Sequence, residues 1–227
     1  MGSDDIFKKR KAARKSRQSE TRIPKPHSYL IVTEGERTEP LYFEGLTTLI
    51  KQQTSGGILE VVPVPDISIH GEGSSTTSLI HKADEYVNKS KILYQHVWIV
   101  FDKDDFLDFD DAIQLAKDKG YNIAWSNQSF EYWIYLHFHY SDSALHRHEW
   151  NNKLDAIFKQ YNLGDGTYQK NYENIYDLLN TYSSTYTAIK NAKRRLANFN
   201  KHDTPSSCDP ATTVHILVED LLQYISN

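Results

Sequence analysis

Residues 96–105 read HVWIVFDKDD, an apolar and β-branched run from His96 to Phe101 that stops on Asp102, Lys103, Asp104 and Asp105. A run this short, apolar at consecutive positions and bounded by polar residues, predicts a strand buried on both faces. Upstream, His27–Thr33 (HSYLIVT) has the same character. Between the two lie a predicted helix over 38–52 (TEPLYFEGLTTLIKQ), with Pro40 tolerated in its first turn, and a predicted helix over 76–89. Ile58–Ile69 reads as extended, and Pro63 and Pro65 confine it to an edge strand or a bulge. Downstream, a helix over 109–119 closed by Gly120 leads to a strand over 121–125 (YNIAW). Strands alternating with helices demand crossover connections. The expected fold is therefore α/β: a mostly parallel, Rossmann-like four-stranded sheet with flanking helices.

Beyond Asn127 the pattern turns helical, over 129–140, 149–161, 170–181, 184–199 and 211–225, and no further strand is expected. This gives an α/β unit over 27–140 and a helical C-terminal half over 141–227, either appended or packed on the sheet. Residues 1–26 hold nine basic and three acidic side chains, a charge of +6. The other 17 basic and 27 acidic residues give the body −10, for a total of −4 in 227 residues. A flexible basic extension on an acidic body suits a nucleic-acid contact through Lys9, Arg10 and Lys11, or a self-docking tail; a solubilising tail fits the charge equally. One cysteine, Cys208, excludes a disulfide framework and a cysteine-based zinc site. The chain shows no apolar run of membrane-spanning length and no signal peptide, so a cytoplasmic protein without membrane contact is expected.

Ligands of open parallel sheets gather at the carboxyl ends of the strands. One predicted strand ends Val32-Thr33-Glu34-Gly35-Glu36 and another ends Phe101-Asp102-Lys103-Asp104. Alternation puts Asp102 and Asp104 on one side, with Lys103 directed away. Neighbouring strands would bring Glu34 to that pair. Carboxylates so close need a cation, and an oxygen-only set suits Mg²⁺ or Mn²⁺. Such an ion would serve phosphodiester chemistry. Arg37 suits a substrate phosphate or a surface ion pair, and Ser126 and Asn127 suit phosphate or a helix cap. His137, His139, His146 and His148 lack metal-site spacing and are expected at the surface or in packing. Trp98, Trp125 and Trp133 are expected in the core. Tyrosines near Lys193, Arg194 and Arg195 could stack on unpaired bases, a solvated helix face being the default.

Three segments in order, TEGERTEPLYF, FDKDD and SNQSFEYWIYLHF, resemble the RloB-like family; a looser likeness continues through Tyr168-Gln169-Lys170 and DPATTVHILVEDL (209–221). That family is related to the second component of the AbiL abortive-infection system, and its N-terminal half is considered a Toprim domain. The resemblance implies a Toprim-like fold in which Glu34 binds metal or serves in acid–base catalysis and Asp102 and Asp104 hold metal. It implies that Glu36 and Asp105 are further metal ligands, with Asp105 equally a loop acid. Glu39 falls in the family's first motif and could simply favour a helix N-terminus. Glu131 is placed in the catalytic site, a buried ion pair being the other reading, and Lys170 near phosphate or an acidic neighbour. It also implies an AAA- or ABC-type ATPase partner encoded nearby. The expected function is that of a divalent-metal-dependent nuclease acting on DNA or RNA, tRNA included, as an effector of bacterial anti-phage defence. The alternatives are a catalytically silent nucleic-acid- or nucleotide-binding adaptor and, more remotely, a nucleotidyl transferase. A homo-oligomer is compatible with either of the first two.

Overall fold

β3 (Ile92–Asp102), which contains the decisive apolar run, is the middle strand of a five-stranded sheet ordered β2-β1-β3-β4-β5 in a computed structural model that describes residues 22–54, 64–74, 76–105 and 107–225. β1 (Ile23–Thr33), β2 (Asp66–Gly71), β3 and β4 (Asn122–Asn127) run parallel. β5 (Ala211–Thr212) pairs antiparallel with β4. Between them lie α1 (Thr38–Thr54), α2 (Thr76–Lys89) and α3 (Phe109–Asp118). The second half adds α4 (Phe130–Leu136), α5 (Arg147–Tyr161), α6 (Ile175–Tyr182), α7 (Thr185–Leu196) and α8 (Val214–Leu222).

Strand alternation divides the core between two faces. Tyr29, Ile31, Trp98 and Val100 point to one, and Leu30, Val32, Ile99 and Phe101 to the other. The second face is covered by α2 and α3 through Leu79, Ile80, Phe109 and Ile113. The first takes α1 through Tyr42, Phe43 and Leu46, then the helical second half through Trp133, Trp150, Leu217 and Leu221. The C-terminal helices are thus a layer on the sheet and share its core. Trp98, Trp125 and Trp133 are buried, as expected. Among the described residues no helix is long and apolar enough to cross a membrane.

Several sequence expectations change, among them the helix starts at 170 and 211, which move to Ile175 and Val214. The sheet has five strands, because β5 spans only two residues and is too short to carry a period. Helix α4 ends at Leu136 rather than 140. β1 begins at Ile23, not His27, and runs through Pro24 and Pro26. Its first residues, Ile23 to Lys25, pair with Ile92 to Tyr94 on one side, whereas pairing with β2 starts at Ser28. The prolines therefore lie where one edge needs no ladder donor. A register shift between Lys25 and Tyr29 absorbs Pro26. There Gln95 stitches the strands: its N–H donates to Ser28 Oγ at 3.0 Å and its Oε1 accepts the His27 N–H at 2.6 Å. β2 is an edge strand, the outcome anticipated from Pro63 and Pro65, although residues 55–63 lie outside the described ones.

Candidate functional site

The carboxyl ends of β1 and β3, with the start of α4, open into a cavity of about 340 Å³. Glu34 follows β1 directly. Its backbone N–H donates to the Val100 carbonyl at 2.8 Å, and its Oε2 accepts the Asp102 N–H at 3.0 Å. Asp102, the last residue of β3, in turn accepts the Phe130 N–H at 3.0 Å, where α4 starts. Glu131, one residue into α4, is 2% exposed and meets Lys170 Nζ at 2.8 Å, while the Tyr168 hydroxyl donates to it at 3.4 Å. Glu39, buried in the first turn of α1, lies over Gly35, where any side chain would run into its carboxylate. Gly71 performs a similar service behind the turn: a Cβ there would stand 2.7 Å from the Gly35 carbonyl oxygen.

The chain therefore brings Glu34, Glu36, Arg37, Asp102, Asp104, Glu131 and Lys170 to one cavity. Asp105 is exposed and outside the lining. Lys9, Arg10 and Lys11 lie outside the described residues. Asp104 departs from simple strand alternation. The chain has left β3 by then, Asp104 adopts φ 42°, and its carboxylate pairs with Arg147 at 2.6 Å. Ser126 and Asn127 do not reach the cavity: the Ser126 hydroxyl meets Thr212 Oγ1 at 3.1 Å, and the Asn127 amide donates to the Ser206 carbonyl at 3.0 Å. They fasten the C-terminal segment to β4. His137 is a packing residue, buried with its ring nitrogens 3.2 Å from the Tyr42 hydroxyl and 3.1 Å from the Trp133 carbonyl. The basic end of α7 is also engaged internally, with Arg194 over the Tyr140 ring and Arg195 donating to the Pro210 carbonyl.

Electrostatics set this cavity apart. Burial pushes the Glu34 carboxyl up to about 7, Asp104 adding to it, against the opposing Asp102 N–H. Burial likewise raises Glu39 to about 7, with Glu131 adding and Lys170 opposing. Asp102 is raised well above the ordinary carboxylate range by burial and by Glu39, Glu131 and Glu34. Lys170 moves the other way from an ordinary buried amine: burial opposes its charge, yet Glu131, Asp102 and Glu39 hold it above its usual value. Negative charge is in excess here. The donor chemistry, oxygen only, suits a hard divalent cation. Among the described residues, however, no three Asp, Glu, His or Cys side chains converge closely enough to hold one. Arg147 pairs with Asp104 and Lys170 with Glu131, so an ion held by either acid would compete with that base.

Sequence reading missed Ser129, Arg147 and Tyr168. Ser129 and Arg147 sit at helix starts, and Tyr168 in a loop, where no hydrophobic period reports a side chain's direction; the helix expected over 149–161 left Arg147 outside it. No curated protein and no solved structure matches the chain. The family model of the RloB-like proteins matches residues 29–221, which take in the whole acidic cavity and nearly all of the sheet, and the chain belongs to that family.

Proposed function

We propose that the chain is a divalent-cation-dependent nuclease of the Toprim type, hydrolysing phosphodiester bonds of DNA or RNA at the cavity beside Glu34, Asp102 and Asp104. The observation that carries this reading is the excess of buried carboxylate at the carboxyl edge of the sheet, with Arg37, Arg147 and Lys170 around it. A bound Mg²⁺ or Mn²⁺ would neutralise phosphate oxygens and favour ionisation of an attacking water. Glu34, Asp102 and Asp104 would hold it, with Glu36 at the rim. Glu34 or Glu131 would assist proton transfer from the attacking water, and Lys170 holds Glu131 in place. The setting in anti-phage defence, the link to AbiL and the AAA- or ABC-type ATPase partner extend the sequence resemblance. The basic residues of the first segment, Lys9, Arg10 and Lys11 among them, act as a tether for the nucleic acid.

The test is direct. The purified chain is incubated with plasmid, single-stranded DNA and total RNA, with and without Mg²⁺ or Mn²⁺, beside Glu34→Ala and Asp102→Ala. Cation-dependent cleavage lost in both variants supports the site; cleavage that persists in both removes it. A second reading, a catalytically silent nucleic-acid-binding adaptor, draws on the ion pairs of Asp104 and Glu131 and the absence of a converged set of three ligands among the described residues. Binding without cleavage, even with the partner ATPase added, would select it.

A further inference from the structure

Ser129 lines the cavity one residue before α4, is 2% exposed, and its hydroxyl has no hydrogen-bond partner. Buried hydroxyls are nearly always bonded, and of the described residues with such an unpartnered side-chain atom Ser129 alone lines this cavity, where a ligand oxygen would satisfy it. Arg147 and Lys170 reach the same cavity from elements outside the sheet. The Thr38 hydroxyl donates to the Lys170 carbonyl at 2.5 Å and fixes where the lysine enters. In both ion pairs the cation is the exposed member: Arg147 is 40% exposed against 21% for Asp104, and Lys170 60% against 3% for Glu131. The acid is held and the base can swing. The Arg147–Asp104 pair, with both members partly exposed, contributes little and opens readily when another anion competes, whereas Lys170 stays near the buried Glu131.

We propose that Arg147, Lys170 and the Ser129 hydroxyl form a phosphate-recognition subsite. Arg147 exchanges Asp104 for a nucleic-acid phosphate when a divalent cation takes that carboxylate over, and Lys170 meets the phosphate from its place beside Glu131. The proposal rests on the reading of the cavity as a phosphodiester site. The arginine's planar fork suits two phosphate oxygens, the ammonium acts as a compact charge, and the hydroxyl donates from the buried wall. Because the same exchange serves both ligands, cation and phosphate tighten each other's binding by one common factor. Asp104 is thus the resting partner of an arginine whose working partner is the substrate.

Binding of fluorescein-labelled single-stranded DNA and RNA is measured by anisotropy, in EDTA and in Ca²⁺ to slow hydrolysis. Mn²⁺ alone is titrated in parallel by electron paramagnetic resonance. Arg147→Gln should weaken oligonucleotide binding by about 10-fold and Ser129→Ala by about 3-fold. The paired variant Glu131→Gln/Lys170→Gln, which leaves no buried charge unpaired, should behave like Arg147→Gln. Each lost cation should reduce the salt slope by about 0.7. Mn²⁺ affinity of Arg147→Gln should hold or rise, since Asp104 is freed. Wild-type oligonucleotide affinity and salt slope in Arg147→Gln and Ser129→Ala would overturn the subsite and leave the nuclease reading intact if cleavage continues. Loss of Mn²⁺ binding in Arg147→Gln would also overturn it, by showing that Arg147 only supports the acids. Oligonucleotide binding that depends on both residues, in a chain that neither binds Mn²⁺ nor cleaves, would sustain the subsite and remove the nuclease.

Discussion

Carboxylates meet opposite fates in two parts of this molecule. Where α2 faces α3, Asp84 accepts hydrogen bonds from Lys119 Nζ and the Tyr121 hydroxyl, each at 2.7 Å, and Asp108 accepts from Thr77 at 2.5 Å and Thr76 at 2.8 Å. Burial works against the charge on Asp84, but Lys119 and Tyr121 prevail and its proton affinity falls; that of Asp108 falls chiefly through Thr77. At the carboxyl edge of the sheet, Glu34, Glu39 and Asp102 move up instead. Between those helices the chain meets its partly exposed acids with matched donors. Its failure to do so at the cavity, with Arg147 and Lys170 each committed to one acid, marks a region whose charge is arranged for something other than stability.

The largest effect should separate the two regions by activity. Asp102→Asn should reduce cation-dependent cleavage by on the order of 10³-fold, since it removes a ligand of the cation that would neutralise the reacting phosphate. Asp84→Asn should leave the rate within about twofold, as expected of a change outside the site. Initial rates on the best substrate of the cleavage screen decide it. A comparable loss in both variants would erase the functional distinction between the two acid clusters.

Stability against pH should separate them next. Glu34 and Glu39 bind protons more tightly folded than unfolded, so the native state holds more protons between their ordinary range and about 7. Their contribution is therefore complete below about pH 4.5 and is lost as pH rises toward 7. In EDTA the melting temperature should fall from pH 5 to pH 8, by about 4–8 °C for a loss on the order of 2 kcal/mol. Glu34→Gln should flatten that decline. Saturating Mn²⁺ should offset it at pH 8, by about 2.7 kcal/mol at a hundredfold excess over the dissociation constant. A melting temperature that climbs steadily over the same interval, with Mn²⁺ inert, would mean that the acids are not in excess.

These contrasts bear on what a sequence can disclose. Strands β1 and β3 were legible because both faces are buried, which writes apolar residues at consecutive positions, and Glu34 and Asp102 were legible because they stand where those runs stop. The direction of Asp104 was not, since the chain turns through φ 42° immediately before it can obey strand alternation. Arg147 and Ser129 arrive from helix starts far along the chain, and only tertiary packing brings them to the acids. The entry of β1 was misplaced because Pro24 and Pro26 suggest an end of structure, whereas one-sided pairing and the Gln95 stitch let the strand continue. β5 leaves no pattern at two residues. Local chemistry announces a strand's end; the identity of what meets it there is a property of the whole fold.

The smallest effect belongs to the satisfied region and has the opposite sign in pH. Asp84 binds its proton less tightly in the folded chain, so its contribution is present above the ordinary carboxylate range and disappears as pH falls through its lowered value. Lys119 and Asp84 are 30% and 25% exposed, which limits the pair to about 1 kcal/mol. Asp84→Asn keeps an acceptor for the Tyr121 hydroxyl but gives up the charge. It should lower the melting temperature by about 2–4 °C at pH 7. At pH 3 the difference from the unaltered chain should shrink toward zero. The same substitution at Glu34, to Gln, should raise the melting temperature at pH 8 and matter least in acid. Opposite signs from two carboxylate-to-amide changes in one chain, read by the same melting experiment, would establish that the acids between α2 and α3 support the fold while those at the sheet edge tax it. Equal signs would place both clusters in the same class and remove the physical ground for reading the cavity as a site.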